Sequence, residues 1–143
     1  MTNDEPKHFS REDILYSFFG ALFLGFTFMS KLLYFDLVNV MTANHTIVIF
    51  VVTLLLVSFE IYYLGYRRVP HSERMKRTIG EFLTKRLLTV TIVSLITSAF
   101  LVYIYGVNIL LGSNENTLKA IIAIFMPCCL GATFSDLFRK IKF

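Results

Sequence analysis

Four ionisable side chains stand inside or at the edge of long apolar runs: Lys31, Asp36, Glu60 and Asp136. Such groups are costly in hydrocarbon, and where they occur they commonly serve ion, proton or substrate pathways. Acids placed this way suit cation chemistry, because a carboxylate either binds a cation directly or takes up a proton and releases it. Glu60 makes the sharpest case. It lies in TIVIFVVTLLLVSFEIYYLGYRR, residues 46–68, where nearly every position from Ile47 to Tyr66 is apolar or aromatic. Its own helix offers no basic residue three or four positions away on either side. Glu60 must therefore be met by a proton, a cation or a basic residue from another helix.

Plainer readings stand beside the chemical ones. Asp136 can pair with Arg139 or Lys140 one turn further on. Lys31 can extend its ammonium along the helix toward water. Asp36 can lie beyond the hydrocarbon. Glutamate is too short to reach out in the same manner. No enzyme constellation accompanies these residues: His8, His45 and His71 all fall in tails or loops, and HExxH, Walker and GxGxxG patterns are absent. Cys128 and Cys129 are adjacent and form no CxxC metal spacing. The sequence points to no enzyme, no metal site and no cofactor.

The elements that hold these residues are legible from hydropathy. Of 143 residues 55% are hydrophobic, and the mean hydropathy is +0.64. A soluble domain of this size could not bury so much apolar surface. The runs 46–66 and 87–111 are almost free of charge, while 14–40 and 117–138 carry a few. About 20 apolar residues cross a bilayer as a helix. Helices satisfy their own backbone in lipid, whereas strands of a membrane barrel would alternate polar and apolar positions. The expected fold is all-α: one transmembrane domain, residues 1–143, with four spans at about 14–38, 46–66, 87–107 and 117–138. The acid-containing start, MTNDEPKHFSRED, does not read as a cleaved signal.

Within the first span, expected to run as one helix from Ile14 through Val38, Ser17, Ala21 and Gly25 recur every fourth residue and form a stripe of small side chains. Such stripes let membrane helices approach closely. The second span ends in Tyr62, Tyr63 and Tyr66 before Arg67 and Arg68, an interfacial belt with cationic anchors. Pro70 stops it, Ser72 can cap a new helix, and a basic amphipathic segment leads into the third span. Arg67, Arg68, Arg74, Lys76 and Arg77 make that segment a candidate site for anionic lipid. In the third span Thr91, Ser94 and Ser98 share a face. Their hydroxyls can bond across a helix interface or back to their own carbonyls. Asn116 or Thr117 is the expected cap of the fourth helix, Pro127 an expected kink, and Gly131, Ala132 and Ser135 a second small-residue surface.

Basic residues set the orientation. Seven of the fourteen lie in 67–86; Lys7 and Arg11 precede the first span, and Arg139, Lys140 and Lys142 come after the last. The loops 37–45 and 108–117 have none. With four spans every basic region falls on one side, so both termini are expected in the cytoplasm of a multi-pass cell-membrane protein. The same placement reads the net charge of +4 as topology rather than nucleic-acid binding. Glu60, six residues before Tyr66, then sits roughly 9 Å inside the cytoplasmic boundary.

FMSKLLYFDL, YYLGYRR and MPCCLGATFSDLF resemble segments of an uncharacterised family of small prokaryotic four-helix integral membrane proteins. The resemblance implies an acid at the outer end of the first helix, here Asp36, and a proline, small-residue and Gly-Ala pattern in the last, here Pro127, Gly131 and Ala132. Ser30 stands where the family's proline is expected. The resemblance implies topology rather than an activity.

Four short helices enclose little space, so a permeation path would form more easily on a symmetry axis between subunits. The expected function is an oligomeric cation channel or cation/proton transporter. Asp36 would gather cations outside, Glu60 would be an inner site and Asp136 an exit. The alternative is a non-transporting assembly or regulatory subunit that binds partner helices and anionic lipid.

Overall fold

A computed structural model describes residues 11–30, 33–66 and 79–140, and within them the side chains of 14–30, 34–63 and 84–135. The elements are α1 (Arg11–Met29), α2 (Leu33–Val40), α3 (Ala43–Glu60) with a π-helical continuation over Ile61–Tyr66, α4 (Ile79–Ile104), α5 (Val107–Leu111) and α6 (Asn114–Lys140). The described chain is helical throughout its regular structure. Three stretches are long and apolar enough to cross a membrane: Ala43–Tyr63, Thr84–Ile104 and Asn114–Ser135. The bent pair of α1 and α2 supplies a fourth if counted as one span. The protein is an all-α polytopic membrane protein.

Helix α6 occupies the middle. It packs on α1, α3 and α4, while α3 and α4 touch each other only lightly. Some 61% of its apolar window is buried inside the protein, against 22% for α3 and 33% for α4. Its inward residues are correspondingly small or flat: Ala120, Ile124, Phe125, Cys128, Cys129 and Ala132 are fully buried. Leu55, Phe59, Phe19, Phe23, Ile96 and Phe100 point outward and stay exposed. An apolar exterior around a core lined partly by Ser and Thr is what a lipid solvent permits, because lipid repels no apolar side chain.

The first span differs from the single helix through Val38 that the sequence suggests. The helix ends at Met29, and α2 leaves at 82° to α1. Two hydroxyls bond back onto α1 just before the bend. Thr27 Oγ1 donates to the Phe23 carbonyl at 2.8 Å, and Ser30 Oγ to the Thr27 carbonyl at 2.9 Å. Such bonds compete with the backbone for the same acceptors. The bent arm is then fastened by Tyr34, whose buried hydroxyl donates to the Ala120 carbonyl at 2.9 Å. Phe28 and Phe35 meet the Tyr34 ring edge-on. Tyr34, Val38 and Met41 form the buried face of this arm, which leaves Asp36 exposed on the other.

Two further local differences have simple causes. Helix α6 starts earlier than expected, because Ser113 caps it: its Oγ accepts from the Asn116 N–H at 3.1 Å. Asn116 and Thr117 therefore lie inside the first turn. The helix also continues unbroken through Pro127 to Lys140. At the start of α3, Thr42 and His45 form a reciprocal capping box, which assigns His45 a structural task.

Candidate functional site

Glu60 is the last α-helical residue of α3, and the wider π turn begins immediately after it. The Ile61 N–H is shared between the Ser58 and Val57 carbonyls at this transition. Changes of helical pitch of this kind are rare and are often found at functional sites. Glu60 is half-buried against α6. Its Oε2 lies 2.6 Å from Thr133 Oγ1. Thr133 itself is only 6% exposed. This carboxylate is thus met by a neutral hydroxyl from a helix 73 residues away in sequence.

That hydroxyl is crowded by acceptors. Besides Glu60 it faces the Leu130 carbonyl at 2.9 Å and the Cys129 carbonyl at 3.2 Å. A hydroxyl carries one proton and can donate it in one direction at a time. One turn up α6 the Cys129 thiol lies near Glu60 and beside Ser94 of α4. Ser94 is fully buried, yet its Oγ makes no hydrogen bond of good geometry, and neither does Thr91 Oγ1. Ser98 bonds back to the Leu95 carbonyl at 2.9 Å and Thr97 to the Val93 carbonyl at 2.8 Å. The hydroxyl face of α4 therefore divides: Ser98 is satisfied by its own helix, whereas Ser94 lies against the Cys129 thiol.

Beyond Glu60 the α3/α6 seam is closely packed. Val57 and Thr53 are buried along α3, and Phe50 stacks on Phe125 with ring centroids 5.4 Å apart. Thr53 turns its hydroxyl to its own Ile49 carbonyl. Asp36 lies at the opposite end of the bundle, exposed on α2. A single copy thus holds its two described membrane acids at opposite ends, with apolar packing between them.

Residues 2–138 match the family described as "Putative integral membrane protein (DUF2391)". The chain belongs to this family. No curated protein and no solved structure matches the chain. The family description agrees with the apolar exterior and the spanning helices, and it assigns an integral membrane protein without an activity.

In this member of the family the small-residue positions hold the bundle together from within. Ser17, Ala21 and Gly25 are buried on α1. A Cβ on Gly25 would meet Cys128 Sγ and come within 2.8 Å of Leu101 Cδ1. The closest approach is at Gly20 and Gly131, where a Cβ on either would overlap the carbonyl oxygen of the other. Ala132 is fully buried, Pro127 is half-buried, and Ser135 Oγ donates to the Tyr16 carbonyl of α1. The stripe is consumed inside the subunit and is no exterior surface for a second copy. Sequence reasoning missed Gly20, although its place three residues after Ser17 puts it beside the stripe. It missed Thr133 as well, since a threonine in an apolar helix ordinarily bonds to its own backbone. Lys31, Arg67, Arg68, Arg74, Lys76, Arg77 and the side chain of Asp136 lie outside the described residues.

Proposed function

We propose that the protein is a non-catalytic membrane transport protein that moves a cation or proton across the cell membrane, as a homo-oligomer, with Glu60 as its inner exchange site. The observation that carries this reading is the Glu60–Thr133 bond: an acid within a membrane helix that is met by a neutral partner. A carboxylate paired to a fixed lysine or arginine would be neutralised in place, whereas one paired to a hydroxyl is left to bind a mobile charge. Asp36, exposed at the far end, is suited to concentrate cations at the outer mouth, and Asp136 is the candidate cytoplasmic exit. The clustering of basic residues supports cytoplasmic termini. The cationic segment 67–86 would then lie near the anionic inner leaflet. The filled seam between Glu60 and Asp36 favours a path along an intersubunit surface rather than through one bundle.

That same filled seam supports a second reading, a non-transporting assembly or regulatory subunit whose exposed α3 face meets partner helices. Reconstitution separates them. Purified protein in liposomes, shown folded by its helical circular dichroism, is assayed for cation and proton flux beside Glu60→Gln and Asp36→Asn. Transport predicts flux that falls at least tenfold in Glu60→Gln. Absence of flux under every gradient and potential removes the transport reading and leaves the assembly one.

A further inference from the structure

We infer that the ligand of the Glu60 site is a proton, and that Thr133 is the positioning residue that keeps Glu60 hydrogen-bonded in both of its protonation states. The inference rests on Glu60 being an exchange site and adds what is exchanged and how the site accommodates it.

The geometry of the Thr133 hydroxyl carries the argument. Three acceptors surround its single proton: Glu60 Oε2 at 2.6 Å, the Leu130 carbonyl at 2.9 Å and the Cys129 carbonyl at 3.2 Å. With Glu60 ionised, Thr133 Oγ1–H donates to Oε2. When a hydronium ion delivers a proton to Oε2, water leaves and the carboxylic acid becomes the donor. Thr133 Oγ1 then accepts from it, and the Thr133 proton swings to the Leu130 carbonyl, already within bonding distance. Release reverses each step. Both states keep every donor paired, and only a hydroxyl rotor moves. No backbone shift is needed.

Within one copy a metal cation would be poorly served by the same atoms. Hard cations collect six or more oxygen ligands. Among the described residues no three His, Cys, Asp or Glu side chains come together. Among the described residues Glu60 supplies one carboxylate and Thr133 one hydroxyl, with the Cys129 thiol and its Ser94 neighbour nearby. Among the described residues, Cys129 on α6 is the ionisable group in electrostatic reach of Glu60; Tyr62 and Tyr63 follow Glu60 on the π-helical continuation, and Lys85 and Arg86, at the start of the α4 span, have partners. Asp136 comes three residues after Thr133 on α6.

Infrared difference spectroscopy of the reconstituted protein between acidic and alkaline buffer tests this. A carboxylic C=O band that disappears on raising pH is expected, and Glu60→Gln should abolish it. Thr133→Val should shift its frequency, and Thr133→Ser, which restores the hydroxyl, should return it toward the wild-type position. A spectrum with no Glu60-dependent band overturns the proton assignment. So does a band whose frequency is the same in Thr133→Val. The two readings fail separately: a Glu60-dependent band without flux sinks transport and keeps the proton site, while Na+ or K+ flux with no such band sinks the proton site and keeps transport.

Discussion

Replacing Gly131 by alanine isolates the closest contact in the bundle, because packing and helix propensity predict opposite signs. In a helix free of neighbours, Gly→Ala stabilises by about 1 kcal/mol. At Gly131 the added methyl would overlap the Gly20 carbonyl oxygen and lie 2.7 Å from Gly20 C and 3.1 Å from Ala21 N. Carbon atoms rest at about 3.5–4.0 Å, so α1 and α6 must separate by about 1 Å. A gap of that size forfeits roughly a quarter to a half of the dispersion energy at each contact it opens. These obstacles are backbone atoms, which cannot rotate away as a side chain could. Overpacking typically costs about 1–3 kcal/mol, and a backbone clash belongs at the upper end. Net of propensity, Gly131→Ala should lose about 2 kcal/mol, roughly a 30-fold fall in the folding equilibrium constant. Equilibrium unfolding in mixed SDS micelles, followed by circular dichroism, measures it. Gly20→Ala should cost a similar amount, and the double variant less than the sum, since one methyl has already opened the crossing. Gly25→Ala should cost less, because its obstacles are the Cys128 and Leu101 side chains. A Gly131→Ala protein as stable as wild type, or more so, refutes the close crossing.

Single contacts elsewhere give further outcomes. Tyr34→Phe removes the bond to the Ala120 carbonyl and should cost about 1 kcal/mol in the same titration; unchanged stability would mean that α2 is not fastened there. Phe125→Ala deletes a fully buried ring stacked on Phe50 and should cost about 3–5 kcal/mol, the largest single loss here. Asp36→Asn, at an exposed position, should leave stability within about 0.5 kcal/mol of wild type, so that any loss of flux reports on function. Cys128 and Cys129 are fully buried and should resist maleimide in the folded protein and react after SDS unfolding; rapid labelling of either in the folded state would contradict the position of α6.

The parts of this structure that depend on composition are legible in the sequence. The runs around Val57, Ser94 and Ile124 announce spanning helices, because lipid demands long uncharged segments wherever they lie. Glu60 stands out for the same reason, as a charge within such a segment. Its partner does not. Whether Thr133 or some other residue of α6 faces Glu60 depends on the relative rotation of two helices, which no local pattern encodes. The bend after Met29 is hidden because apolar residues resume at Leu32 directly after Ser30 and Lys31, a dip that a single lysine reaching toward water also explains, and because threonine and serine are common in unbroken membrane helices. Ser113 caps α6 where the sequence favours Asn116 or Thr117, a displacement of three or four residues, because several capping residue types follow one another in SNENT and local pattern does not choose between them. The stripe of Ser17, Ala21 and Gly25 is visible as a packing surface, but spacing alone cannot say whether a small-residue face serves its own chain or another.

The central position of α6 bears on how the protein is made. Among the described spans it leaves the ribosome after the others, yet it supplies a surface on which α1, α3 and α4 all pack. Until it arrives, α1 and α3 have little to hold each other, the Gly20 backbone faces an empty groove, and Glu60 has no Thr133. Before α6 is present α1 and α4 can already pack on each other, whereas α3 has no comparable partner, so the bundle is completed only when α6 joins them. A chain truncated before Asn114 would keep the contact of α1 with α4 but lose the surface that fastens α3 and the bent α2 arm.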